Sequence, residues 1–143
     1  MPVRTFVSFK AQFPKTSDPP GKELAEFVSA ALTSASISHE APTEREEWGW
    51  TIYAQRRHVK LEIIVGLSDD GPREWQIHTY QHLPFLGRIL NRSRLRTESE
   101  NALTLFCETL DKALKADSRF NTIRWYYHEV FEKDFGETWG DAP

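Results

Sequence analysis

Along the first thirteen residues, apolar and polar side chains alternate. Val3, Thr5, Val7, Phe9, Ala11 and Phe13 share one parity, and Arg4, Ser8, Lys10 and Gln12 share the other. A period of two predicts a strand with one buried face. The pattern changes after a loop from Pro14 to Gly21 that holds three prolines. Leu24, Phe27, Val28, Ala31 and Leu32 then recur at i, i+3, i+4, i+7 and i+8, the stripe of an amphipathic helix. Its start is expected at Asp18 as N-cap, with Pro19 in the first helical position, where a missing N–H costs nothing. Its end is expected near Ser34 to Ser36.

Alternation returns in the middle of the chain. Trp48, Trp50, Ile52 and Ala54 form one face of a strand, and Val59, Leu61, Ile63, Val65 and Leu67 one face of the next. A hairpin closing around Arg56 and Arg57 would set Ala54 against Val59, Ile52 against Leu61, Trp50 against Ile63 and Trp48 against Val65. Each apolar side chain then meets an apolar partner. Arg-Arg is a poor two-residue turn, so a four-residue loop in the same register is the alternative. Ser68-Asp69-Asp70-Gly71-Pro72 is a turn signal, and the strand after it points Trp75, Ile77 and Thr79 inward.

The stretch from Leu83 to Arg96 follows neither period. A second helix is predicted from about Thr97, which forms a capping box with Glu100, to Ala116. Its stripe is Leu103, Phe106, Cys107, Leu110 and Leu114. A final strand over residues 122–129 places Ile123, Trp125 and Tyr127 on one face. The order β-α-β-β-β-α-β predicts an α+β fold. It would be a two-layer sandwich, with a mostly antiparallel five-stranded sheet, two helices on one face and the other face open. One domain over residues 1–143 is the expectation at this length.

Composition narrows the class. Hydrophobic residues make up 39% and charged residues 27%, too apolar for a disordered chain and too polar for a membrane protein. No apolar run approaches the roughly 18–20 residues that cross a bilayer, and the N-terminus lacks the apolar block of a signal peptide. The cytoplasm is therefore the expected compartment. Cys107 is the only cysteine, so no internal disulfide can form. Cys107 lies on an apolar stripe and reads as a small hydrophobe rather than a nucleophile. The net charge of −3 argues against nucleic acid as a partner. The charge is nonetheless segregated. Arg88, Arg92, Arg94 and Arg96 fall in an acid-free stretch, Glu40, Glu44, Glu46 and Glu47 cluster before Trp48, and the tail from Glu129 to Asp141 is acidic. Polarised surfaces of this kind steer partners.

The chain has no phosphate loop, dinucleotide fingerprint, Gly-x-Ser-x-Gly elbow or cysteine cluster, so no cofactor is expected. His78 and His82 have the i, i+4 spacing of zinc ligands on a helix. In a strand, however, that spacing separates them by about 13 Å, and no metal is expected there. The acidic run from Glu40 to Glu47 reads as a solvated connection.

Parity assigns Phe6, Ser8, Lys10, Thr51, Tyr53, Gln55, Lys60, Glu62, Ile64, Gln76, His78, Tyr80, Arg124, Tyr126 and His128 to the open face. Tyr and Arg dominate protein interfaces because they combine contact area with a polar handle. The expected partner-binding residues are therefore Tyr53, His78, Tyr80 and Tyr126. The segment from Leu83 to Arg96 adds Phe85 and Ile89 as apolar anchors and Arg88 and Arg92 as a cationic rim. That segment either plugs the end of the core or docks a partner. Two rival readings use the same face. One is a small enzyme acting through His78, His128 and Tyr80; the other is an RNA-binding module stacking bases on its aromatics. In size, charge and fold class the chain resembles the small acidic α+β proteins that bacteria use as inhibitors or toxin-neutralising immunity proteins. That resemblance implies another protein as the partner.

Overall fold

The computed structural model describes residues 3–13, 20–46, 49–67, 74–82, 92–128 and 139–143, with backbone only for 92–95. Among these, seven strands and two helices follow in chain order. They are β1 (Phe6–Lys10), α1 (Lys22–Ser34), β2 (Ser38–His39), β3 (Thr43–Arg45), β4 (Gly49–Arg56), β5 (Val59–Leu67), β6 (Glu74–His82), α2 (Arg92–Ala116) and β7 (Asn121–Tyr126). All pairings are antiparallel, in the order β2-β4-β5-β6-β1-β7, with β3 beside β2 along the outer edge of β4. The α+β class therefore stands, but the sheet has seven strands rather than five. The two additions, two and three residues long, lie in and beside the stretch read as an acidic connection. They are too short to show alternation. They form because the outer edge of β4 would otherwise leave its main-chain donors and acceptors unpaired.

Helix α1 begins at Lys22, after Gly21, and not at Pro19; Asp18 and Pro19 lie outside the described residues. Gly21 has φ of +105°, and a β-carbon there would stand 3.2 Å from Cζ3 of Trp75. Both the backbone angle and the close approach require glycine. Gly21→Ala is expected to lower stability by about 1–2 kcal/mol, read as a drop in the urea midpoint at unchanged slope. The helix ends in a Schellman motif. Ser36 occupies the left-handed position with φ of +58°. The amide of Ile37 donates to the carbonyl of Leu32 at 2.9 Å, and that of Ser36 to Thr33 at 3.1 Å. Leu32 and Ile37 are both buried, the apolar contact that accompanies this cap.

Helix α2 starts at Arg92, five residues before the capping box. Thr97 and Glu100 lie inside the helix. Arginine is a good helix former and nothing between residues 92 and 97 breaks the helix, so the local signature marked a turn and not the end.

The β4–β5 hairpin differs from the expected register by two residues. Ala54 faces Leu61, Ile52 faces Ile63 and Trp50 faces Val65, with Arg56 opposite Val59 and Arg57-His58 as the turn. Arg57 takes a left-handed φ of +55°. A shift of two leaves every side chain on the same face, so hydrophobic pattern alone cannot choose between the registers. The core assignment is therefore retained. Val7, Phe9, Ile52, Leu61, Ile63, Val65, Trp75, Ile77 and Trp125 are buried under α1 and α2. Helix α1 packs on β4 and β2, and α2 on β5, β6 and β7. Cys107 is fully buried in this layer, and burial raises its thiol pKa far above the usual range, which suits a packing residue. Among the described residues no helix is long and apolar enough to cross a membrane.

Candidate binding face

The registers arrange the second face of the sheet in rows. One row runs Thr51, Ile64, His78, Phe6, Tyr126 across β4, β5, β6, β1 and β7. Thr51, Ile64, Phe6 and Tyr126 in it are buried, Phe6 to 2% exposure. The expectation of an open face fails along this row, because antiparallel alternation does not reveal whether a second layer covers the polar parity. Tyr126, expected to touch a partner, is buried, with Ser8 Oγ 3.3 Å from its hydroxyl. Little of its ring remains for contact.

The next two rows are more open. Gln55, Lys60 and His82 form one, all exposed, and Tyr53, Glu62 and Tyr80 the other. Strand β2 extends the first row with Ser38 opposite Gln55. The amide of Glu40 donates to the carbonyl of Tyr53 at 2.8 Å, which extends the second. All of these except Tyr80 line a groove of about 580 Å³ that also includes His39 and Ala54. Tyr53 stands at it with 44% of its surface exposed.

The groove's charges are organised around Glu62. Arg45 Nη1 donates to its Oε1, and His82 Nε2 lies on its Oε2, both at 2.7 Å. Glu62 is mostly enclosed, at 14% side-chain exposure, whereas Arg45 and His82 reach solvent. Both carboxylate oxygens are thus engaged before any ligand arrives.

Beside the groove lies an aromatic cluster. The His78 ring stacks on Phe6 with centroids 3.9 Å apart and planes within 1°. Tyr80 meets Phe6 edge-on, and His128 lies 4.9 Å from Phe6 and 5.6 Å from Tyr80 between ring centroids. Burial, with a smaller contribution from the His128 charge, lowers the His78 pKa from 6.5 to about 4. His78 is therefore neutral at physiological pH, with Nε2 3.1 Å from Gln76 Oε1. His78, His128 and Tyr80 do come together, as the enzyme reading requires, but none of them lines the groove. Among the described residues no group of three His, Cys, Asp or Glu side chains is arranged to hold a metal ion.

Of the expected contact residues, Tyr53 stands exposed at the groove, His78 and Tyr80 are half-buried in the cluster, and Tyr126 is buried. Phe85, Arg88 and Ile89 lie outside the described residues, and Arg92 opens α2. Parity already placed Lys60, Glu62 and Gln55 on this face. Glu40 was visible only as part of an acidic run read as a solvated connection, and Ser38 and Arg45 gave no signal as site residues, since each belongs to a strand of two or three residues. Compared with known proteins, the chain matches no family model, no curated protein and no solved structure.

Proposed function

We propose that this chain is a non-enzymatic protein-binding module that docks its partner on the open rows around Tyr53. The residues after His82, including Phe85, Arg88, Ile89 and Arg92, would extend that surface. The observation that carries the reading is the placement of Tyr53. This large exposed aromatic stands at a groove whose central carboxylate is already fixed by Arg45 and His82. Pre-fixed polar groups around an aromatic anchor lower the ordering cost of association. Inhibition or toxin neutralisation is the form of binding that the chain's size and charge suggest. The half-buried, pKa-lowered His78 favours the rival enzyme reading, but a general base must reach its substrate, and His78 does not line the groove.

Tyr53→Ala tests the proposal. Thermal stability should change by less than about 0.5 kcal/mol, because the side chain is exposed. Affinity for a partner co-purified from the native source should fall at least about thirtyfold, the signature of a central anchor. Unchanged affinity, measured by calorimetry, would remove the groove from the interface.

A further inference from the structure

Strand β7 ends the sheet on one side, and residues 139–143 lie along its outer edge. The amide of Trp125 donates to the carbonyl of Gly140 and the amide of Gly140 to that of Trp125, both at 2.9 Å, in an isolated antiparallel bridge. Two cations take the next two carbonyls. Lys115 Nζ donates to that of Asp141 at 2.8 Å, and Arg4 Nη1 to that of Ala142 at 3.1 Å. Both cations are held in advance, Lys115 by Asp111 Oδ2 at 2.8 Å and Arg4 by the Tyr127 ring, whose centre lies 4.6 Å from the guanidinium carbon. Arg124 emerges on the strand face opposite Trp125 and sets its guanidinium carbon 4.8 Å from the centre of the Trp139 ring. A β-carbon at Gly140 would stand 2.6 Å from Arg4 Cζ, so the arginine lies across the glycine.

This seat reads main chain more than side chain. Trp139 keeps 44% of its surface exposed, and Asp141 and Ala142 are exposed as well. The segment therefore covers the edge without anchoring a side chain in the core. What holds it is four hydrogen bonds to or from its main-chain atoms, one cation–π contact and one close approach at glycine. Main-chain bonds of this kind are open to any extended strand, and the side-chain contacts ask only for an aromatic residue followed by glycine.

We infer that the β7 edge is a strand-docking site for an extended aromatic-glycine segment of a partner protein, and that residues 139–143 hold the site until such a strand replaces them. The segment seated there defines the occupant. It offers a ring to Arg124, a glycine beneath Arg4, and carbonyls to Lys115 and Arg4. Cations fixed beforehand by Asp111 and Tyr127 lower the ordering cost for an incoming strand. The resident segment competes at an effective concentration of order millimolar, because it belongs to the same chain. The site lies apart from Tyr53 and stands independently of that surface.

The test follows a fluorescein-labelled, amidated Trp-Gly-Asp-Ala-Pro peptide by anisotropy against the full chain. Trp139→Ala with Gly140→Pro removes the resident ring and amide donor and leaves Arg4, Lys115, Arg124 and Trp125 in place. This released variant should bind the peptide at least about tenfold more tightly than the wild type. Trp139→Ala alone, which keeps every main-chain bond, should give a gain of about two- to fivefold, the worth of an exposed cation–π contact. In the released variant, Arg124→Gln should weaken binding by the same factor. A peptide with proline in place of glycine lacks the amide donor and should lose most of its affinity. Tyr53→Ala should leave peptide binding unchanged, so this site and the Tyr53 surface can fail separately. Released and wild-type chains that bind the peptide equally would overturn the inference, as would a proline peptide that binds as well as the original. Sedimentation supplies a further check. A wild-type dimer that the released variant loses would overturn the partner assignment in favour of strand exchange between copies.

Discussion

Replacing Trp125 with alanine is expected to destabilise the protein by about 3–5 kcal/mol, the usual cost of emptying a large buried aromatic site. Trp125 is fully buried between β7 and α2. Its indole N–H donates to Asp111 Oδ1 at 2.8 Å, and the other oxygen of Asp111 holds Lys115 at the same distance. Lys115 also donates to the carbonyl of Asp141. The Trp125 backbone exchanges two 2.9 Å hydrogen bonds with Gly140. One residue thus ties the edge strand to the helix layer and to residues 139–143. Trp125→Phe keeps most of the volume and removes only the indole donor. Its cost should be about 1–3 kcal/mol, that of a hydrogen bond to a charged acceptor. Urea denaturation of both variants separates the packing contribution from the polar one. If alanine and phenylalanine cost the same, the cavity is not the main term.

Acid should weaken the fold through His78. Its folded pKa, about 4, lies below the ordinary 6.5, so between those values the unfolded chain binds more protons than the native one. Stability therefore rises with pH across this window and is lost as pH falls from about 6.5 to about 4, by up to about 3 kcal/mol for this group. Below the folded pKa both states are protonated and the loss levels off. His78→Phe preserves a ring to stack on Phe6 and removes the titration. Carboxylates titrate in the same region, so the informative quantity is wild type minus His78→Phe, measured by urea midpoints at successive pH values. That difference should fall on acidification, by up to about 3 kcal/mol between about pH 6.5 and about pH 4. Parallel curves would show that His78 does not resist protonation. Phe6→Ala, which unroofs the ring, should return the His78 pKa toward 6.5 in a proton NMR titration.

The local chemistry of the chain determined a good deal by itself. Alternation in residues 3–13, 48–67 and 75–79 assigned the core face, since side-chain parity is a property of a single strand. The stripes of α1 and α2 followed in the same way from 3.6-residue spacing. Parity also put Tyr53, Lys60, Glu62, His78 and Tyr80 on one surface. What it could not give was anything that depends on a neighbouring chain segment. The hairpin register slipped by two because an even shift leaves the face pattern intact, and only the turn at Arg57-His58 decided it. The α2 start moved to Arg92 because a capping signature is local, whereas a helix continues until its backbone meets a better alternative. Strands β2 and β3 exist only because the edge of β4 offers them hydrogen bonds, so Ser38 and Glu40 entered the groove, and Arg45 reached its Glu62, from segments without a periodic pattern. The burial of Phe6 and Tyr126 divided the presumed open face into a covered row and an exposed platform. The meeting of Arg56 and Arg57 with Glu98 and Asn101 of α2 was likewise decided by the tertiary structure. Solvent exposure and charge proximity depend on which segments pack together, and that information is not carried within any one segment.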